Sequence, residues 1–413
     1  DNRWGLFPSF GVGADLNEIL GLGIRKLKVR ASTATTGALP GATGLTAQAR
    51  TFVYDGGGSA GGSTVLARGA NPDLKWEEKN EFNFGIEYET ERLSLDFDVY
   101  NRKIKDFILN QQVDVAVYGV DRRFQNAGQV TSSGWEFKAD YDVIKNDKLS
   151  YETGLILYNN KVVLDEFSNE LAQYGFLGSP GQNAVTMVRV KVGDKLGNIY
   201  GPVFQGVNAD GSPQFEDVTG DGTLNTDSGN VLQDDYDGRV LGTAYPTLEM
   251  SWSNVVEFGD GWTLNAFFRG AFGHSLINTF RAFYEPNVPS QTSYNQMNTS
   301  LREPNLAVAQ YSSLYVEKAD FFLLDNLTLS KQIFFPEGSG IKDLTVSLNA
   351  LRPFVITSYT GTDPSPELFD ALGGGEEGVE AGSDGAALLA PGIDRRQDYF
   401  ASKTFSIGLS VNF

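Results

Sequence analysis

The chain has 413 residues, with 33 Lys+Arg against 52 Asp+Glu, one His, no Cys and a formal charge of −19. The surplus of carboxylates argues against nucleic acid as the main partner, because phosphate binding needs a concentrated basic surface. Without Cys there is no disulfide framework, zinc ribbon, iron–sulfur site or thiol nucleophile, and a single His excludes a His-rich metal centre. With 47 Gly and 12% aromatics, the composition is that of a large β protein. No apolar run reaches the roughly 18 residues of a transmembrane helix, and Asp1-Asn2-Arg3-Trp4-Gly5 lacks the basic-then-apolar form of a secretory leader.

Strict two-residue alternation recurs from one end of the chain to the other. It covers 4–15, 24–36 and 81–90, then Leu93-Ser94-Leu95-Asp96-Phe97-Asp98-Val99-Tyr100. Trp135, Phe137, Ala139 and Tyr141 alternate with Glu136, Lys138, Asp140 and Asp142, and the pattern resumes over 149–159, 245–257, 262–273, 321–333 and 343–352. It closes with Phe405, Ile407, Leu409, Val411 and Phe413 between Ser406, Gly408, Ser410 and Asn412. A period of two places each set on one face of a strand. The patterns predict about eleven strands, many longer than the globular average of about 5–6 residues.

The connections alternate between short and long. Thr90-Glu91-Arg92, Asn146-Asp147 and Gly259-Asp260-Gly261 are tight turns, and 16–23 and 334–342 are slightly longer. Long segments are expected near 37–80, 106–133, 160–244, 274–320 and 353–401. In an antiparallel meander this puts every long connection at one end of the sheet, the signature of an outer-membrane β-barrel with short periplasmic turns and long extracellular loops. A soluble sandwich also alternates but shows no such loop asymmetry. Lys28, Asp96, Asp98, Glu136, Lys138, Asp140 and Arg269 are then expected to face a water-filled lumen. Eleven antiparallel strands cannot close on themselves, because the first and last would run parallel. With Phe413 periplasmic, residue 1 falls on the extracellular side, so residues 1–413 are expected to be the C-terminal half of a larger barrel.

Several motifs resemble those of the SusC/RagA-like TonB-dependent outer-membrane transporters of Bacteroidetes. Arg3-Trp4-Gly5-Leu6-Phe7-Pro8-Ser9 is similar to that family's R-[YW]-G-L-F-P-S strand, and Asn71-Pro72-Asp73-Leu74-Lys75-Trp76-Glu77 to its N-P-[DN]-L-[KT]-W-E signature. Asn126-Ala127-Gly128 with Gly134-Trp135-Glu136 resembles N-x-G…G-x-E, and Asp217-Val218-Thr219-Gly220-Asp221-Gly222 resembles D-x-N-G-D-G. Asp325-Asn326-Leu327-Thr328-Leu329 resembles R-N-L-T-L, with Asp where Arg is usual, and Tyr359-Thr360-Gly361-Thr362-Asp363-Pro364 resembles Y-S-G-x-D-P. The resemblance implies the C-terminal half of a 22-stranded barrel whose N-terminal domain, plug and first strands are absent from this sequence. It implies no enzyme activity, an outer-membrane location in lipid, and import of an oligosaccharide, glycan or peptide. Its partners would be a SusD-like lipoprotein lid and, through the missing N-terminal part, TonB. The competing reading is a barrel of this type serving as a structural scaffold in an outer-membrane assembly or secretion complex.

The candidate metal site is Asp217, Thr219, Asp221, Thr223, Asn225 and Asp227, which approximate the oxygen-ligand positions of a calcium loop. Ser228 stands where a bidentate carboxylate is expected, and Asp227, Asp234, Asp235 or Asp237 could replace it. The alternative is an acidic, solvated loop within 160–244. His274 reads as a loop residue, Glu376-Glu377 and Asp234-Asp235 as surface charges, and Gly56-Gly57-Gly58-Ser59-Ala60-Gly61-Gly62 as a flexible loop. Trp4, Tyr88, Tyr100, Tyr141, Tyr158, Trp252, Trp262 and Phe413 fit interfacial girdles, though some could stack on a solute in the lumen. Tyr284, Tyr294, Tyr311 and Tyr315, with Asn287, Gln291, Asn295 and Gln296, suit either solute recognition or loop packing.

Overall fold

Period-two patterning over this length demands a sheet that buries one face in an apolar medium, and the backbone supplies it. The computed structural model describes residues 5–38, 48–55, 60–120, 122–168, 171–179, 182–227, 233–288, 295–365, 390–396 and 400–413. Eleven strands form one antiparallel sheet in sequence order. They are Ser9–Asp15, Lys26–Ala38, Glu77–Glu89, Leu93–Gln112, Arg122–Asn146, Leu149–Phe167, Leu248–Phe258, Trp262–Phe272, Phe321–Phe334, Asp343–Thr357 and Thr404–Asn412.

The register turns the alternation into two continuous surfaces. One row runs across the strands as Ala14, Val29, Ile86, Phe97, Phe137, Leu157, Met250, Gly270 and Phe322. The row on the opposite face runs Asp15, Lys28, Glu87, Asp96, Lys138, Ile156, Ser251, Arg269 and Leu323. All seven residues expected to face the lumen lie on this polar face. The aromatics divide between the two. Tyr88, Tyr141, Trp252 and Trp262 sit on the apolar face, whereas Tyr100 stacks under Arg102 and Tyr158 donates to Glu249 at 2.7 Å on the polar one. Trp4 lies outside the described residues. Trp262 packs on Phe258 beside the Gly259-Asp260-Gly261 turn, whose two glycines both adopt positive φ, at 56° and 82°.

Two expected loops are mostly strand. Residues 106–133 were expected as a connection, yet the strands run on to Gln112 and resume at Arg122, leaving a bend capped by the short Val115–Tyr118 helix. Polar side chains in this stretch hide it from an alternation test, and a bulge breaks the period. Asp106 adopts φ 56°, and its carbonyl accepts from Asn126 Nδ2 at 2.7 Å. The second is 160–244, where the Leu149–Phe167 strand is followed by a four-stranded sheet in the order Arg239–Thr243, Asn198–Gly201, Gln182–Lys191, Leu171–Ser179. Gly56 to Ser59 lie outside the described residues, while Gly61 and Gly62 belong to a strand paired with Gln48–Asp55.

Two glycines of the N-x-G…G-x-E element are required by close approach. A Cβ on Gly128 would meet the Glu166 carbonyl oxygen at 2.0 Å, and one on Gly134 the Asn159 carbonyl oxygen at 2.1 Å.

The face assignment is tested at neighbouring positions. Leu348 lies five residues from the short-turn end of its strand, roughly 12 Å into the bilayer at about 3.4 Å per residue and a tilt near 45°. In the full-length protein unfolded by urea from phospholipid vesicles, Leu348→Arg is expected to cost about 2–4 kcal/mol. Ser347→Arg, on the polar face, is expected to stay within about 0.5 kcal/mol. Equal costs would remove the assignment of the two faces.

Candidate functional site

The long connections fold against one another into a cap with its own core at the end of the sheet opposite the tight turns. Leu177, Val185, Met187, Val188 and Ile199 from one connection pack with Ile277, Ala282, Tyr311 and Tyr315 from a second and Ala390 and Ile393 from a third. Burial of this apolar surface draws together segments far apart in sequence. Tyr311 and Tyr315 are only 2% and 1% exposed, so they belong to this core and not to a recognition surface. Tyr284 is half-buried and Asn287 accepts from Gln296, while Gln291 and Tyr294 lie outside the described residues.

A buried ion-pair node holds the cap. The short Thr279–Tyr284 helix is capped by Asn278, whose side chain accepts from Arg281 N at 3.0 Å. Arg281 is almost fully buried and reaches Glu285 and Glu317, each at 2.9 Å, and the carbonyls of Leu314 and Leu301 at 3.1 and 3.2 Å. Burial alone would lower its pKa, but its bonds to Glu285 and Glu317 prevail and raise it. Glu317 also accepts from Asn278 and from the backbone and hydroxyl of Thr360.

The Tyr359-to-Pro364 motif has a structural explanation here. Tyr359 donates to Asp394 at 2.6 Å, and Thr362 donates to the same carboxylate through its backbone N at 2.8 Å and through its hydroxyl. A Cβ on Gly361 would collide with that carboxylate and with the Tyr359 ring. Arg352 donates to Asp363 at 2.8 Å, which helps to hold the Asp363 carboxyl below its ordinary pKa despite burial. Pro364 supplies the carbonyl, 2.8 Å away, to which His274 Nε2 donates. His274 lies, as expected, in a connection, between the strands ending at Phe272 and starting at Ser275, but it is buried there, 1% exposed, with its ring edge-on to Phe321.

Further out, Asn71 Nδ2 donates to the Phe124 carbonyl at 2.7 Å, and its Oδ1 accepts from Arg123 at 2.6 Å. Asn126 clamps Lys75 through both its backbone N–H and its carbonyl. The Asn71-to-Glu77 signature therefore anchors a loop to the tall hairpin.

The acidic segment winds around two carboxylates. Asp217 accepts from Gly220 N at 2.6 Å, Thr219 Oγ1 at 3.3 Å and Gly222 N at 2.9 Å. Fully buried Asp237 accepts from Val218 N, Thr219 N, Thr219 Oγ1 and Asn225 N at 2.8–3.1 Å. Burial raises the Asp237 pKa, and those donors outweigh it, so the acid ionises more readily than usual. Asp221 accepts from Thr223 N at 2.7 Å, and Asp227, Asp234 and Asp235 are exposed. Among the described residues no three His, Cys, Asp or Glu side chains gather as a metal site. Ser228, Glu376 and Glu377 lie outside the described residues. Asp237 organises this loop, and its position 20 residues after Asp217 hid that role from any motif of fixed spacing.

The polar wall of the sheet is the other part of the site. Arg30 bonds Glu87 at 2.9 Å, Asn83 at 3.1 Å and Asp98 at 2.6 Å, and Arg102 pairs with Glu81 at 3.0 Å. Arg269 grips Asp325 through two bonds, at 3.0 and 3.1 Å, which explains the Asp in the Asp325-to-Leu329 motif. These pairs are partly exposed and add little stability; they solvate and orient the wall.

An eleven-stranded antiparallel sheet with one apolar face, one charged face and long connections packed together at one end has the architecture of a β-barrel. Residues 1–199 match the family model "TonB dependent receptor-like, beta-barrel". TonB-dependent receptor P39 of Formosa agariphila is 26% identical over 484 residues, covering 100% of this chain and 43% of the relative. TonB-dependent receptor SusC of Bacteroides thetaiotaomicron is 24% identical, covering 100% of this chain and 40% of the relative. The chain thus spans about two-fifths of the length of these curated relatives. In fold it is similar to the RagAB peptide importer in its closed-closed state, with TM-score 0.75 and 20% identity over 98% of this chain and 43% of that one. Against the open-open state the TM-score is 0.73 at 21% identity, covering 100% of this chain and 43% of that one.

Two outcomes are expected in the cap. Arg281→Met leaves Glu285 and Glu317 buried without their cation and costs about 3–5 kcal/mol. Amide exchange in the full-length protein should then rise in 279–285, 316–318 and 359–362 and stay unchanged in the strands; unchanged exchange in the cap would remove the node. His274 is a group of the cap whose charge state changes near neutral pH. Burial lowers its folded-state pKa from 6.5, so its contribution is complete above 6.5 and is lost as pH falls from there toward the folded value. Cap exchange should therefore rise on acidification below 6.5, and His274→Gln should flatten that rise.

Proposed function

We propose that this chain forms part of an outer-membrane importer, taking up an oligosaccharide or a peptide with energy delivered through TonB. The observation that carries the reading is an eleven-stranded antiparallel sheet with one charged face, whose long connections pack into a core at one end, together with the match of residues 1–199 to a TonB-dependent receptor β-barrel model. A solute held beneath the cap and released into the lumen needs binding and gating, with no bond made or broken. Among the described residues, Ser9–Asp15 and Thr404–Asn412 each pair on one side only. Open edges of this length invite aggregation, which supports further strands completing a larger barrel, with residues 1–413 forming its C-terminal half. A SusD-like lipoprotein over the cap is the partner we propose, by analogy with SusC and the RagAB importer.

Deleting the gene in the native organism, in medium whose sole nutrient is either an oligosaccharide mixture or a peptide digest, is expected to abolish growth on one of them. Dissipating the proton-motive force should stop uptake of that nutrient in wild-type cells. Growth on both without the gene, together with stable co-purification of secretion or assembly subunits, would replace import with a scaffold role.

Calcium at Asp217, Thr219, Asp221, Thr223, Asn225 and Asp227 is a separate proposal. Asp217 accepts three donors and an ionised carboxylate offers about four lone-pair sites, which leaves room for a cation. Calcium should slow amide exchange over 217–237 in the purified protein, and Asp217→Asn should abolish that response. Exchange insensitive to both calcium and chelator would end the proposal.

A further inference from the structure

The polar wall is divided. Over the strands from Lys26–Ala38 to Arg122–Asn146 it is ionic, with carboxylates such as Glu87, Asp98 and Glu136 and cations such as Lys28 and Arg30, and Arg30 pairs across strands with both Glu87 and Asp98. From Trp262–Phe272 to Thr404–Asn412 the same face changes character. The register lines up Asn265, Thr328 and Asn349 with Ser406, and Thr263, Ser330 and Ser347 with Gly408. The charged groups of this second arc are already engaged: Arg269 by Asp325, Arg352 by Asp363, and Asp343 at the short-turn rim by Asn412. Its hydroxyls and amides bond one another lightly, Thr328 with Asn349 at 2.9 Å and Asn349 with Ser347 at 3.3 Å.

We infer that the uncharged arc is the wall along which the solute crosses, and that the solute is uncharged and rich in hydroxyl or amide groups. This rests on the import reading. Movement along a wall requires contacts strong enough to admit the solute and weak enough to release it. Neutral hydrogen bonds contribute about 0.5–1.5 kcal/mol each and exchange readily with a passing hydroxyl or amide, whereas bonds to charged groups contribute about 1.5–3 kcal/mol. The ionic arc would hold a cationic solute by its surplus carboxylates and repel an anionic one. Its side chains, tied across strands by Arg30 and its partners, make it the fixed side of the lumen. The neutral arc offers donors and acceptors with no fixed charge to desolvate.

The test uses the full-length protein in its native cells, with single cysteines placed at residues of this cysteine-free chain. Ser347→Cys and Ser406→Cys lie on the neutral arc, and Ser32→Cys and Ser94→Cys on the ionic one. Each variant is treated with a neutral polyethylene-glycol maleimide, and barrel assembly is verified by heat-modifiable migration. Uptake is measured for a neutral oligosaccharide mixture, a uronate-containing one and a lysine-rich peptide mixture. The expected result is gene-dependent uptake of the neutral mixture, reduced about tenfold or more by labelling the neutral arc. Labelling the ionic arc should change it by less than about twofold. Equal block from both arcs, or gene-dependent uptake of a charged mixture, would overturn the inference while leaving import standing. Uptake of all three mixtures unchanged by deletion of the gene would overturn the import reading, and this inference with it.

Discussion

Within an apolar medium every backbone N–H and C=O must find a partner in the chain itself, and the rest of this structure follows from that constraint. Antiparallel pairing in sequence order meets it for eleven strands, and the pleat then sends alternate side chains to opposite surfaces. The register rows show how strictly the chain keeps to this. Phe97, Phe137 and Leu157 follow one another on one face, and Asp96, Lys138 and Ile156 on the other. A slip of one residue in any pairing would carry a row of charges into lipid.

Beyond the bilayer the constraint relaxes, and so does the pattern. The tall hairpins continue past the apolar band on paired polar residues. Bulges at Asp106 and near Asp165 are tolerated because water can satisfy what the ladder leaves open. The cap obeys different physics. It is a small globular layer with a buried apolar core, its segments tied to one another by ionic and hydrogen-bonded nodes at Arg281, Asp394 and His274. Each node joins segments whose entropy cost of closure is met by the core packed around it.

The polar wall links fold to function most directly. Its charges are arranged in pairs, with Gly85 leaving space for the guanidinium of Arg30 to reach Asp98 across the strand between them. The change from ionic to neutral character partway around the sheet comes from residue choice alone, because the backbone geometry is the same on both sides.

The alternation of Leu93 to Tyr100 and of Phe405 to Phe413, together with alternating connection lengths, was enough to specify the strand number, the order and which side chains share a face. Those properties are local, since a period of two and a tight turn are each set within a few residues. The cap could not be read in this way. The expected loops at 106–133 and 160–244 are largely paired strand, because hydrogen-bonded strands outside lipid need no hydrophobic alternation. Tyr311, Tyr315 and His274 read from sequence as loop residues, and their burial depends on distant segments, 90 positions away for His274 and 129 for Tyr311. Asp237 gives no signal of its own beside the conspicuous Asp217-to-Gly222 motif, yet it gathers four donors. The sequence by itself determined the membrane-facing sheet, whose side-chain pattern the surrounding medium imposes residue by residue. Only the tertiary structure decided the cap, because there each side chain's environment is supplied by distant parts of the same chain.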